Sequence, residues 1–301
     1  MNNWRSQIEK IIFVTGLVGL GITAYAHAHP AVLSFSEKSD LAVTVFDVGQ
    51  GDSILVETAE GKQMLIDGGP DDTVLAKLGA AMPFGDHDLD LVVLTHPHAD
   101  HVSGLVSVLR RYEVHKILLT GVNYSTPPYL AFLDEIKARH IPVEYATEPF
   151  EFLFGRATVQ TFFPRASLRD EWVDSPNDSS IVLKISQGNH KILLAGDIEE
   201  GSEKILVKEN LDLSADVLKV AHQGSKTSST KEFLATVRPD YAIISVGEND
   251  YGHPHYEVVR RLENFGARVL RTDKQGDIKI TVEEGVLCVL ANLDILDCAN
   301  D

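Results

Sequence analysis

Six consecutive residues, His96-Pro97-His98-Ala99-Asp100-His101, follow the apolar run Leu89-Asp90-Leu91-Val92-Val93-Leu94 across the single residue Thr95. Such a run reads as a buried strand, so its imidazoles and carboxylate sit where a strand ends and a helix begins. Imidazole and carboxylate hold divalent transition metals in open, reactive sites. Three further strand ends carry the same chemistry. Leu193 to Asp197 places a carboxylate past an apolar strand, Val217 to Ser225 places His222 past another, and Gly252-His253-Pro254-His255 follows the strand Tyr241 to Val246. A strand-end aspartate alone is usually a helix N-cap, and for Asp197, ahead of Glu199 and Glu200, that reading has weight. Four such ends together demand a fold that gathers the tips of distant strands at one edge. In extended backbone His96 and His98 point to the same side, and Asp100 and His101 follow at the turn to face a second metal.

The rest of the pattern suits such a fold. Leu41 to Val48, Asp52 to Thr58 and Gln63 to Ile66 alternate as strands of a meander, turned at Ala59-Glu60-Gly61-Lys62. Helical spacing covers Thr73 to Ala81, Val102 to Arg111 and Tyr129 to Arg139. Phe150 to Phe163 reads as a hairpin, and Ser180 to Ser186 with Lys191 to Ala195 as another, turned at Gly188-Asn189. Strands and helices then alternate through Asp216 to Ala221, Tyr241 to Val246, Val258 to Phe265 and Arg268 to Arg271. Meander, alternation and a second round of both predict an α/β chain with two sheets face to face and helices outside. The polar stretch Arg165 to Asn177 is expected to be a loop over one end, placed to close on a compact ligand.

The formal net charge of -17 argues against a broad basic surface that binds nucleic acid by charge alone, while leaving room for a local positive patch. Near the N-terminus, Arg5 and Lys10 precede an apolar run from Ile11 to Ile22, and Ala26-His27-Ala28 supplies a small-x-small cleavage pattern. Residues 1–28 are read as a signal peptide of an exported, periplasmic or secreted protein; the alternative is a membrane anchor over residues 11–26. Cys288 and Cys298 are either a disulfide formed in an oxidising compartment or two reduced thiols.

HPHADH, GD at Gly196-Asp197 and HQGS at His222 to Ser225, in this order and spacing, resemble the metallo-β-lactamase superfamily. More narrowly, DVGQGDS (Asp47 to Ser53), LIDGG (Leu65 to Gly69), NDSS (Asn177 to Ser180), HQGSKTSS (His222 to Ser229) and YGHPH followed by RTDKQG are similar to the hydrolase domain of ComEC-type competence proteins. The similarity covers about residues 40 to 283. It implies a four-layer αββα sandwich, taken here over residues 38–290, with 291–301 as a C-terminal tail. It also implies two divalent metal ions. His96 and His98 would bind the first, Asp100, His101 and His222 the second, and Asp197 would bridge them. Where the superfamily has the third histidine of the first site, this chain offers Asn177 and Asp178, with Asp178 as the candidate metal ligand. An amide or carboxylate is harder than imidazole, which puts manganese beside zinc as a candidate. Asp67 would orient a ligand histidine; the alternative is a turn residue before Gly68-Gly69.

Two cations sharing a hydroxide hydrolyse esters at neutral pH, because metal binding lowers the pKa of water to roughly 7. Asp100, Asp197 and His253 are the catalytic candidates, His253 as the donor of a proton to the leaving oxygen. Gly224, Ser225 and Lys226 would present N–H groups, a hydroxyl and a positive charge to a phosphate. Asp47 and Asp52 are expected to shape a loop at the site mouth, and His87, His115, His140 and His190 to lie on the surface. The competence channels carry this domain on a large membrane protein, whereas the present sequence has no multi-span region and reads as a free-standing exported hydrolase. The leading function is a phosphodiesterase or nuclease acting on DNA or a related phosphate ester. The alternatives are hydrolysis of a small ester, lactone or lactam, and a non-catalytic accessory role in DNA uptake.

Overall fold

Alternation of apolar side chains sets the architecture in the computed structural model, which describes residues 39–291 and 294–300. The expected leader (1–28) and its alternative, the anchor over 11–26, lie outside the described residues. No helix among the described residues is long and apolar enough to cross a membrane.

The chain opens with β1 (Leu41–Val45), β2 (Ile54–Thr58) and β3 (Gln63–Ile66), followed by helix α1 (Thr73–Ala81). Next come β4 (Asp88–Leu89), β5 (Leu91–Val93), α2 (Ala99–Arg111), β6 (Glu113–Val114), β7 (Ile117–Leu119), α3 (Pro127–Arg139) and β8 (Val143–Tyr145). The second half holds β9 (Glu151–Phe154), β10 (Ala157–Phe163), β11 (Val182–Gln187), β12 (His190–Leu194), α4 (Glu200–Lys208), β13 (Val217–Lys219), α5 (Lys231–Val237), β14 (Tyr241–Ile244), α6 (Tyr256–Asn264) and β15 (Arg268–Arg271). After α7 (Thr272–Gln275), the chain returns to the first sheet through β16 (Ile278–Glu283), β17 (Val286–Ala291) and β18 (Asp294–Asn300). The larger sheet has nine strands in the order β18-β17-β16-β1-β2-β3-β5-β7-β8, and the other has seven, β15-β14-β13-β12-β11-β10-β9. The short strands β4 and β6 pair separately.

Three apolar layers result, because successive side chains on a strand face opposite ways. Ile54 and Val56 of β2 enter the layer between the sheets, where they join Val159, Leu183, Ile192 and Ile243 from the facing strands. Leu55, between them in sequence, faces the other way, towards Leu78, Leu105 and Phe132 of the first helical layer. Leu218 of β13 likewise turns from the sheet interface to Phe233, Leu234 and Leu262 of the second helical layer. The order helix, sheet, sheet, helix is the expected αββα sandwich.

Several elements depart from the reading of the sequence. Helix α2 begins three residues before Val102, at Ala99, so Asp100 and His101 lie in its first turn. Residues 291–301, expected as a tail, contain β18, which pairs with β17 along its length. There Cys288 stands opposite Cys298, and the two form a disulfide with Cα atoms 4.1 Å apart. His190 is buried, not exposed, and its Nε2 lies 3.0 Å from the Gly285 carbonyl oxygen.

One buried ion pair joins the two halves. Lys219, at the end of β13, and Asp52, just before β2, are 1% and 2% exposed and in direct contact. Burial pushes the Asp52 carboxyl up to about 6 against the opposing pull of Lys219. Removing one partner strands the other charge in the interior. Asp52→Asn and Lys219→Met are each expected to cost about 3–5 kcal/mol in urea unfolding. The double variant is expected to lose clearly less than the sum, whereas additive losses would mean that the two charges are independent.

Candidate metal centre

The parallel strands β3, β5, β7 and β8 and the parallel strands β12 to β15 send their C-terminal ends to loops that carry the candidate ligands. In open α/β sheets this is where ligands bind. Asp67 follows β3, His96 to His101 follow β5, Asp197 follows β12, and His222 and Gln223 follow β13. The turn 176–179 enters from the start of β11.

His96 and His98 point towards each other, with Nε2 of the first 3.0 Å from Nδ1 of the second. The other nitrogen of His96 is 3.2 Å from Thr95 Oγ1, so Nε2 is the atom left to face inward. His101 is held from behind: its Nδ1 lies 2.7 Å from Asp67 Oδ2. Asp67 is fixed in turn by the Thr95 N–H at 2.8 Å and hydroxyl at 2.6 Å. This fixes the ring so that Nε2 faces Asp197 Oδ2 at 3.3 Å and Asp100 Oδ2 at 3.7 Å. Nitrogen and oxygen atoms of His96, His101 and Asp197 all lie within 4.8 Å of one another. Asp67 thus backs the His101 ring and is also a turn residue with φ of 58°.

Charge shapes the cluster. Burial holds His96 well below the usual imidazole range, reinforced by the nearby charge of His101, and burial lowers His98 as well. Burial also works against a charged His101, but Asp197, Asp100 and Asp67 together outweigh it and raise that ring well above the ordinary value. Burial resists the charge on Asp197, and His101 and His96 overcome it and hold the carboxyl well below its usual range. A proton on His101 therefore supplies the positive charge that these carboxylates require. A divalent cation fits the same electrostatic need and would displace that proton. Asp197 Oδ1 and Asn177 Oδ1 support the fit, since both are buried and have no hydrogen-bond partner among the described residues.

At two turns the residue next to the candidate ligand is the one that points into the cluster. Asp178 faces away, accepting hydrogen bonds from the Glu199 N–H at 3.1 Å and the Ser202 hydroxyl at 2.8 Å at the start of α4. Asn177 is the residue that turns inward, its Nδ2 3.4 Å from His222 Nδ1. At the other turn, His222 and Gln223 both have left-handed backbone, with φ of 50° and 47°, and their side chains diverge. His222 leans on Glu199 at 3.3 Å and Asn177, while the Gln223 amide reaches Asp197, His101 and Asp100. The second cluster thus receives Gln223 where His222 was expected. Gln223, Glu199 and Gln50, whose amide donates to Gln223 Oε1 at 2.8 Å, were not singled out from the sequence. Gln50 and Gln223 are marked only by their positions within DVGQGDS and HQGS, and Glu199 only by following Asp197.

Of the candidate ligands, His98, Asp100 and Asp197 line a cleft of about 890 Å³ that Gln50, Tyr124, Glu248, Tyr251 and His253 also wall. Gly224, Ser225 and Lys226, expected to bind substrate, do not line it. Gly224 abuts Pro254, the Ser225 hydroxyl pairs with Thr227, and Lys226 projects into solvent. The stretch Arg165 to Ser175 walls a separate hollow with Phe163 and Ile205 and does not line the cleft.

His253 does reach the cleft, its ring centroid 5.3 Å from that of His222. Burial, then the charges of His222 and His255, push it down to about 4. The unfolded chain takes up this proton near pH 6.5 and the folded chain only near 4. The stability contribution is therefore complete above pH 6.5 and falls as the pH drops towards 4. In chelator, unfolding midpoints of His253→Gln are expected to fall less steeply across that window than those of the parent; parallel profiles would count against the assignment.

Residues 46–248 match the metallo-beta-lactamase superfamily. "Competence protein ComA" of Neisseria gonorrhoeae is 34% identical over 82% of the chain and 33% of its own length. "ComE operon protein 3" of Bacillus subtilis is 29% identical over 89% of the chain and 36% of its own length. The chain thus spans about a third of each of these ComEC-type relatives. The metallo-beta-lactamase fold protein YhfI from Bacillus subtilis shares the fold, with a TM-score of 0.51 at 14% identity over 80% of this chain and 99% of that one. Fold, matched segment and ligand-bearing strand ends agree: the chain belongs to the metallo-beta-lactamase superfamily and has homologues among ComEC-type competence proteins.

Proposed function

We propose that the protein is a metal-dependent phosphodiesterase or nuclease, with DNA or a related phosphate ester as its substrate. The observation that carries this reading is the convergence of His96, His98, Asp100 and His101 on Asp197 at the floor of an open cleft. The competence names of the relatives favour DNA over a lactam or lactone.

His96 Nε2, His98 Nδ1, Asn177 Oδ1 and Asp197 would hold one zinc or manganese ion; Asp100, His101 Nε2 and Asp197 would hold a second. Such ions lower the pKa of a bound water to roughly 7 and offset charge at the attacked phosphorus. The chain's own residues do the positioning. Asp67 keeps the His101 Nδ1–H engaged, so that Nε2 presents its lone pair inward. His253, pushed down to about 4 by burial in the chain alone, would take part as a hydrogen-bond partner or base until an anionic phosphate raises it. Tyr124 and Tyr251 offer ring surfaces on the cleft walls to a base or sugar. The Cys288–Cys298 disulfide supports work in an oxidising, exported location.

Cleavage of single-stranded DNA after chelation and add-back of Mn²⁺ or Zn²⁺ is the direct test. Expected is activity that disappears in His96→Ala and falls about 10–100-fold in Asp67→Ala. DNA left uncut alongside hydrolysis of a chromogenic lactone would move the assignment to small esters. No turnover together with less than one tightly bound ion per chain would leave an accessory role. The rim carboxylates Glu248 and Asp250 also face any polyanion that enters. The double variant Glu248→Gln/Asp250→Asn is therefore expected to lower KM for DNA severalfold at low salt with kcat unchanged, and the gain should fade at high salt. A salt-independent KM would show that the rim does not meet the substrate.

A further inference from the structure

Gln223 is the one polar side chain in the cluster whose position neither the motif nor packing explains. Its Nε2 lies 3.1 Å from Asp197 Oδ2, 3.2 Å from Asp100 Oδ2 and 3.3 Å from His101 Nε2. His101 Nε2 in turn lies 3.3 Å from Asp197 Oδ2 and 3.7 Å from Asp100 Oδ2. A tetrahedral site with metal–ligand bonds of about 2.1 Å has edges of about 3.4 Å. The inner end of the Gln223 amide therefore stands at the spacing of a further corner of such a site from an imidazole nitrogen and from each of two carboxylate oxygens. His222, turned onto Glu199, leaves that corner to Gln223.

The amide's polarity follows its partners. With no cation, a donor nitrogen facing two carboxylates is the favoured orientation, and Oε1 then accepts from Gln50 Nε2 at 2.8 Å. Gln50 Oε1 in turn accepts from the backbone N–H of Gly247 at 3.3 Å. A cation among the three other corners calls for a lone pair at the fourth, which the same amide supplies when turned over. Gln223 then offers N–H outward, Gln50 must turn to accept it, and the Gly247 N–H is left facing a donor. Gly247 begins the segment that carries Glu248, Tyr251 and His253 on the cleft wall, and it packs directly against the backbone of Gly49 and Gln50.

We propose that Gln223, through Oε1, is a ligand of the second divalent cation, and that taking up this cation reverses the Gln223–Gln50 amide pair and releases the Gly247 N–H at the cleft wall. The proposal rests on the two-cation reading above, and its test separates the two. Zn²⁺ is titrated calorimetrically into the chelated full chain, and hydrogen exchange at Gly247 is followed at each equivalent. Gln223→Met is expected to weaken the second equivalent about tenfold or more and to leave the first unchanged, while Gln223→Glu, which keeps an oxygen at the corner, retains both. In the parent, the second equivalent should speed exchange at Gly247. In Gln50→Glu, whose carboxylate accepts from both neighbours, Gly247 should stay protected throughout. Second-equivalent affinity in Gln223→Met equal to that of the parent, or Gly247 exchange in the parent that ignores the second ion, would overturn the proposal. A parent chain that binds only one Zn²⁺ would instead remove the two-cation reading, and this inference with it.

Discussion

Buried negative charge at one edge of the sandwich, and the need to meet it, organises the rest of the molecule. Asp52, Asp67 and Asp197 are each 2% exposed or less, and Asp100 stands beside them. Buried carboxylates stay ionised only where cations or donors meet them. Lys219 answers Asp52, while a proton on His101 lies between Asp67 and Asp197. Every residue that supplies or meets this charge comes from a strand end, the loop beyond it or, for Asp100 and His101, the helical turn that follows. Fold and chemistry therefore depend on the same requirement, that both sheets deliver their tips to one place.

The sandwich itself was legible because its signals are periodic. Thr73 to Ala81 was read with the bounds it has, and the hairpin turned at Gly188-Asn189 stands where the alternation placed it. Short strands such as β7 and β8, three residues each, carry too few positions for a period to register. The strand β18 was missed for a different reason, since its residues include Asp294, Asp297 and Asn300, which carry no apolar alternation. Its place depends on a long-range partner, β17, and on Cys288.

The candidate site was legible to within one residue. HPHADH announced His96, His98, Asp100 and His101, and the strand Ile192 to Leu194 led to Asp197. What could not be read was which of two adjacent residues turns inward. Asn177 and Asp178 share a single turn of 3₁₀ helix, and a small change of dihedral decides which one faces the cleft. His222 and Gln223 pose the same problem in left-handed backbone, a conformation that no residue pattern in the segment signals. Residues that act by holding a ligand, such as Glu199 and Gln50, leave still less trace, because any polar residue in a loop looks alike from its sequence.

The seat of His101 has one further property. Helix α2 lies so close to the loop after β3 that a Cβ on Gly104 would come 1.9 Å from the Gly68 carbonyl oxygen, and one on Gly68 would come 2.5 Å from the Leu105 nitrogen. Main chain rests on main chain, with the Gly68 N–H donating to the His101 carbonyl at 2.7 Å. No flexible side chain lies between to absorb a shift. A wedge as small as a methyl group at either glycine would push the imidazole off its aspartate, so the bite of the metal-facing nitrogen is set by the thickness of two bare backbones.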